Sequence, residues 1–194
     1  QAKVGEGRVV VLLGEPGIGK SRIAETLLAQ LADERHAPLR YYCSPHHNQS
    51  ALHPFISQIE HAAGFEPADS GLARLDKLET LLSSLTSNVP HDMRLFAEML
   101  SLANSAERYP VITASPQRKR EMTLNLLVEH LAARAALQPM VVLFEDAHWI
   151  DPTSLDLLDR IVSRIAVLPV LMIITIRPEV QPAWAGQPHV TILP

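Results

Sequence analysis

Apolar positions fall along this chain in two patterns. Five runs are continuous: Arg8–Leu13, Leu39–Cys43, Met140–Phe144, Val170–Ile176 and Val190–Leu193. A short run that is apolar at successive positions suits a strand covered on both faces, as in a parallel sheet. Between them, other stretches repeat their apolar residues every three or four positions. Ser21–Arg35 carries Ile23, Leu27, Leu28 and Leu31. Arg118–Leu137 carries Leu124, Leu127, Val128 and Leu131. Pro152–Ala166 carries Leu155, Leu158, Ile161, Val162 and Ile165. That spacing predicts three helices, each with one buried face. Asp151 is placed to cap the last of them and Pro152 to occupy its first position. Strands alternating with helices predict an α/β fold, three layers around a parallel sheet of about five strands.

The middle departs from this rule. Residues 44–117 hold no good strand, and helical patterns appear at His53–Gly64, Leu72–Leu85 and Asp92–Leu102, separated by Pro, Gly, Ser and Asn. The expected organisation is one domain over 1–194 with a helical insertion at about 44–117. With 194 residues and 47% apolar content, the chain can bury a core. Its net charge is −4 and it has no basic block, which argues against a nucleic-acid surface. The longest apolar run, Ile165 to Ile176, is broken by Pro169 and is too short to cross a bilayer. One cysteine, Cys43, leaves no internal disulfide framework and fits a reducing, cytoplasmic setting. A start at Gln1 and a stop at Pro194, just past an apolar run, lead us to expect a piece of a longer protein.

The richest chemistry lies between the first strand and the first helix. Gly14-Glu15-Pro16-Gly17-Ile18-Gly19-Lys20-Ser21 matches Gly-x-x-x-x-Gly-Lys-Ser, the phosphate-binding loop of nucleotide triphosphatases, in the strand–turn–helix context that the motif requires. Glycines let the backbone turn tightly and aim successive N–H groups inward. The helix adds its free N–H groups and the positive end of its dipole. Lys20 can reach the β- and γ-phosphates, Ser21 offers a hydroxyl to Mg²⁺, and Pro16 stiffens the turn. Residues Gly14 to Ser21, with Arg22 beside them, are the expected cofactor-binding set.

Val141-Val142-Leu143-Phe144-Glu145-Asp146 is an apolar strand that ends in two acids, where ligands bind in open α/β sheets. One acid is needed for the metal and one to position or deprotonate the attacking water. Order along the strand assigns Glu145, with Ser21, to Mg²⁺ and Asp146 to the water. Arg177 ends the fourth strand, where its guanidinium can reach the γ-phosphate; Thr175 lies in the same neighbourhood. His148 and Trp149 follow the acids. They can orient the water or transmit the nucleotide state, or serve as a hydrogen-bonding loop residue and a packing anchor. Arg118, Lys119 and Arg120 either contact phosphate, in this chain or a neighbouring one, or simply form a solvated helix start. Cys43, His46 and His47 lack a fourth zinc ligand at normal spacing.

These stretches carry a resemblance. The chain resembles the ATPase module of STAND-type regulators, a branch of the AAA-like P-loop ATPases, in the form found in bacterial multidomain proteins beside adenylate/guanylate cyclase or transcription-factor domains. The matching segments are Gly14–Ser21, Tyr42–His47 with Ser50–Leu52, Ser115–Glu121, Phe144–Pro152 and Thr175–Glu179. The resemblance implies ATP rather than GTP, and no Asn-Lys-x-Asp guanine-reading motif occurs in the sequence. It implies sheet order 5-1-4-3-2. It also implies a switch that ATP holds in a signalling form and hydrolysis resets, with Arg177 sensing the γ-phosphate. Relatives often carry Asp where Glu145 stands. They usually have an adenine-contacting segment before the part that corresponds to Gln1–Pro194, and a helical lid after it.

The expectation is therefore slow, Mg²⁺-dependent ATP hydrolysis that switches a multidomain signalling protein. Its partners would be ATP and ADP, other domains of the same chain and, through self-association, further copies of itself. Nucleic acid and membrane are not expected partners. Two rivals share the core: a small-molecule kinase, and an interaction module whose nucleotide only stabilises the fold.

Overall fold

The computed structural model describes residues 5–31, 35–86, 88–103, 105–180 and 182–194. The chain divides into two compact units, Gln1–Phe55 with Arg134–Pro194, and Ile56–Ala133. It passes from the first to the second within one helix and returns within another.

The first unit is built on five parallel strands: β1 (Arg8–Leu13), β2 (Ala37–Tyr42), β3 (Met140–Glu145), β4 (Val170–Ile176) and β5 (Val190–Leu193). Their order is β5-β1-β4-β3-β2, as the resemblance implies. The three central strands are the truly continuous apolar ones. β3 is buried over Met140–Phe144, and β4 is buried at all but one position. β2 alternates and β5 is largely exposed, because edge strands have a neighbour on one side only.

Side chains alternate across the pleat, so each face has its own helix. On one face, α1 (Lys20–Gln30) sets Ala24 against Leu12, Val141, Leu143 and Ile173, with Val10, Leu27, Leu28 and Leu31 closing the cluster. On the other, α7 (Pro152–Ile165) buries Leu157, Leu158, Ile161, Val162 and Ile165. It comes so near the start of β1 that a side chain at Gly7 would run into the carbonyl oxygen of Ile165. Two expected core residues are solvent-facing instead: Ile23 is 57% exposed and Leu155 is 40% exposed. The buried stripes are 24-27-28-31 and 154-157-158-161-162-165. Ile23 and Leu155 each sit about 100° off the first residue of their stripe, which puts them at its edge. The sequence predicts α1 through Arg35, but the helix ends at Gln30 with Leu31 as its C-cap, and Arg35 is not helical; 32–34 lie outside the described residues.

Asp151 caps α7 as expected, and does more. Its Oδ1 accepts from the N–H groups of Thr153 and Ser154 at 3.0 Å each, and from Leu52 N–H at 3.4 Å. Leu52 has φ 61°, a left-handed conformation that this buried bond helps to hold. Beside it, α2 (His53–Ala62) begins. Phe55 there packs with Tyr41 and Phe144, at ring separations of 4.7 and 5.9 Å.

The second unit is helical, as the lack of strand patterns predicts. It contains the rest of α2, then α3 (Gly71–Leu82), α4 (Val89–Met99), the short α5 (Ser105–Arg108) and most of α6 (Pro116–Leu137). Leu75, Leu78, Leu82, Met93, Phe96 and Leu124 are among its fully buried residues of large volume. Its polar tie is a triad. Arg94 and Lys119 both bind the Glu98 carboxylate, at 2.7 and 3.0 Å. Burial would raise the Glu98 pKa, but the two cations outweigh burial and hold it below the usual 4.5. A carboxylate lowered in this way stabilises the fold above its unfolded pKa and ceases to as pH falls through the native value. Glu98→Gln is therefore expected to cost about 1 kcal/mol at neutral pH. In denaturant titrations, its difference from the parent protein should shrink on the acid side of 4.5. A difference that persists there would assign Glu98 a packing role instead.

Candidate functional site

The C-terminal ends of β1, β4 and β3 lie side by side, and the loops that leave β1 and β3 face each other across β4. The loop after β1 turns on Gly17 and Gly19, with φ 81° and 105°, values at which a side chain would be strained. Gly19 also precedes α1, and no side chain caps that helix; its first turn contains no acid. By contrast, α3 and α7 are capped by Ser70 and Asp151. Lys20 folds back over the loop and donates from Nζ to the carbonyl oxygens of Gly14 at 2.6 Å and Glu15 at 3.0 Å.

These residues line a cavity of about 380 Å³, together with residues from the opposite loop. Its walls are Pro16, Gly17, Gly19, Lys20, Ser21 and Arg22 on one side, and Asp146, His148 and Arg177 on the other. The volume is in the range of small-ligand sites. Three cationic side chains face one carboxylate, a balance suited to a polyanion. Gly14, Glu15 and Ile18 belong to the loop but do not form the cavity wall; Ile18 points outward at 66% exposure.

The two acids diverge. Asp146 enters the cavity because its backbone takes a left-handed turn, φ 54°, which aspartate tolerates better than most residues. Its N–H donates to Thr175 Oγ1 at 2.8 Å, and Thr175 is 1% exposed. The buried hydroxyl of β4 thus fixes the turn at the end of β3. Glu145 stays in the sheet and is absent from the cavity wall. It accepts a hydrogen bond from the Tyr42 hydroxyl, beside the two-pronged Arg40–Glu25 pair at 2.5 and 3.0 Å. Burial is the main cause that pushes its carboxyl above the usual 4.5, and Arg40 opposes it.

Arg177 lies with its guanidinium 5.3 Å from the centre of the Trp149 ring, a cation–π contact that aims it at the cavity. Trp149 is thus both a packing anchor and a support for that cation. His148 leans on the same ring, 5.1 Å between centroids. Its side chain is 7% exposed, and its Nδ1 lies 4.0 Å from Asp146 Oδ1. Neither ring nitrogen has a hydrogen-bond partner among the described residues. Burial, then Arg177, lower its pKa below the usual 6.5, which favours the uncharged ring.

Other sequence candidates fall elsewhere. Lys119 is committed to Glu98, and Arg120 pairs with the adjacent Glu121 at 3.6 Å. Cys43 is buried, and burial with Asp151 and Asp146 pushes its thiol up to about 12. His47 stacks on His53 at 3.7 Å. The Arg40–Glu25–Tyr42 group beside Glu145 carries no motif; alternation places Arg40 and Tyr42 on one face of β2, but nothing in the sequence pairs them with α1.

Thr175→Val keeps the shape of the side chain and removes the acceptor. It is expected to cost about 1–3 kcal/mol in chemical denaturation, because it strands the Asp146 N–H. A neutral result would mean that the Asp146 turn holds without this bond.

Residues 1–174 match the family model described as AAA ATPase domain; the match ends within β4, before Arg177. The chain is 31% identical over 189 residues to an uncharacterized protein of Rhizobium meliloti (strain 1021), which covers 97% of this chain. The chain spans 18% of the length of that relative.

Proposed function

Because the chain belongs to the AAA ATPase domain family, we propose that it binds Mg²⁺-ATP in the cradle of residues 14–22 and hydrolyses it slowly, as a regulatory switch in a longer signalling protein. The observation that carries this reading is the cavity in which Lys20, Ser21 and the uncapped start of α1 meet Asp146 and Arg177. In it, backbone N–H groups of the loop and of the first turn of α1 bind phosphoryl oxygens. Lys20 exchanges its two carbonyl partners for the β- and γ-phosphates.

The donor set fits a magnesium ion: a hydroxyl from Ser21 and carboxylates from a strand end across the sheet, all oxygen ligands. Ser21 would hold it directly and Glu145, which stands outside the cavity wall, would act through an intervening water; once bound it would neutralise charge on the transferring phosphate. Asp146 takes the role of positioning and deprotonating the attacking water. Arg177, braced by Trp149, contacts the γ-phosphate and so distinguishes ATP from ADP. That differential contact is what a nucleotide switch requires. The domains it acts on belong to the same longer chain, of cyclase or transcription-factor type, in the cytoplasm. The separate helical unit Ile56–Ala133, with a core of its own, favours a role in contacting such partners. We treat the 1–194 stretch as one functional domain with a helical insertion at about 44–117.

Calorimetric titration of the full-length protein tests the cradle. Lys20→Ala is expected to abolish ATP binding, a loss of at least about 100-fold; unchanged affinity would refute the assignment. Arg177→Ala is expected to weaken ATP by about 10-fold or more while leaving ADP nearly unchanged. Equal losses for both nucleotides would remove its role as a γ-phosphate sensor.

A further inference from the structure

His148 is a buried polar group at the cavity that the proposed function does not use. Its side chain is 7% exposed, its two ring nitrogens are without hydrogen-bond partners among the described residues, and it forms part of the cavity wall. A neutral imidazole carries one donor and one acceptor. Leaving them unpaired in a buried position is unfavourable. Nearby protein groups do not meet this need: Trp149 offers a ring face, and Arg177 is engaged with that ring. Asp146 Oδ1, at 4.0 Å from Nδ1, is too far for a direct hydrogen bond. A single water spans that separation with two bonds of ordinary length once the packing that closes Nδ1 to solvent opens.

We propose that His148 is a second holder of the attacking water: Nδ1 and Asp146 Oδ1 each accept one of its O–H groups. This inference rests on the ATPase reading and adds to it a residue and a geometry. A water held by two acceptors has both protons directed at the protein and its oxygen lone pair left for the terminal phosphorus. In the step, that oxygen forms the new bond to phosphorus as the bond to the β,γ-bridging oxygen breaks. The electron pair of the broken bond leaves with ADP. The proton given up by the water passes to Asp146 and then to solvent. His148 gains and loses no proton; it accepts a hydrogen bond throughout, which requires the tautomer with its hydrogen on Nε2. Trp149 sets the ring in place, and the same indole carries Arg177, so the group on the water and the group on the γ-phosphate share one support.

The test uses the full-length protein and three variants. His148→Phe keeps a ring of similar size without nitrogen; His148→Asn restores a polar group near Nδ1; Asp146→Asn sets the background rate. His148→Phe is expected to lower kcat by about 100-fold. Its KM for ATP and its ADP affinity should stay within about twofold, and its melting temperature without nucleotide should be unchanged or raised, since two unpaired groups are removed. His148→Asn should recover part of the lost kcat. A kcat within about twofold of the parent protein overturns the inference. So does a loss matched by equal loss of nucleotide affinity or by a lowered melting temperature, which would make the ring a structural part. His148→Asn no faster than His148→Phe removes the acceptor role. A parent protein that binds ATP but turns over no faster than Asp146→Asn leaves the cradle standing and sinks this inference alone. If Lys20→Ala leaves binding intact, the cradle falls first, and this inference with it.

Discussion

The register of three parallel strands determines where everything else in the first unit goes. β4 lies between β1 and β3, paired in register with both, so the chain leaves the sheet at three adjacent points on one edge. No single loop has to supply the whole site. The glycine turn comes from β1, the carboxylate from β3 and the guanidinium from β4. Because each is tied to a buried strand, their relative positions are set by hydrogen-bond ladders and side-chain packing rather than by loop conformation. Thr175 illustrates how direct the tie is: a hydroxyl from the central strand holds the backbone of its neighbour's last turn.

Much of this is legible in the order of residues. Continuous apolar runs locate the three central strands, and glycine, lysine and serine at fixed spacing locate the loop that lines the cavity, since both patterns follow from local chemistry. Asp151-Pro152 gives the start of α7 for the same reason. What the sequence does not show is what depends on distant partners. Helical spacing alone makes Ile23 and Leu155 equivalent to their buried neighbours; only the approach of the sheet decides which edge of the stripe is covered. Edge strands read like central ones, because an apolar residue does not reveal how many strands flank it. The two acids look alike in Phe-Glu-Asp-Ala, yet one remains in the ladder near Tyr42 and the other turns into the cavity. The commitment of Lys119 to Glu98 is equally invisible, because the two are 21 positions apart.

The indole of Trp149 unifies features that the sequence presents separately. It follows the acids, so it is placed by β3; it carries the arginine from β4 and flanks the histidine that precedes it. A rigid aromatic plate costs little conformational entropy to hold in place, and two functional groups borrow that rigidity. Arg177 is thus held by a ring face rather than by a carboxylate in the contacts seen among the described residues.

Lys20 is not idle before a ligand arrives. Its ammonium is already satisfied by two carbonyl oxygens of its own loop, so a newcomer must compete for it. Any group that takes the ammonium has to replace both of those oxygens, so the lysine is held in place by its own loop.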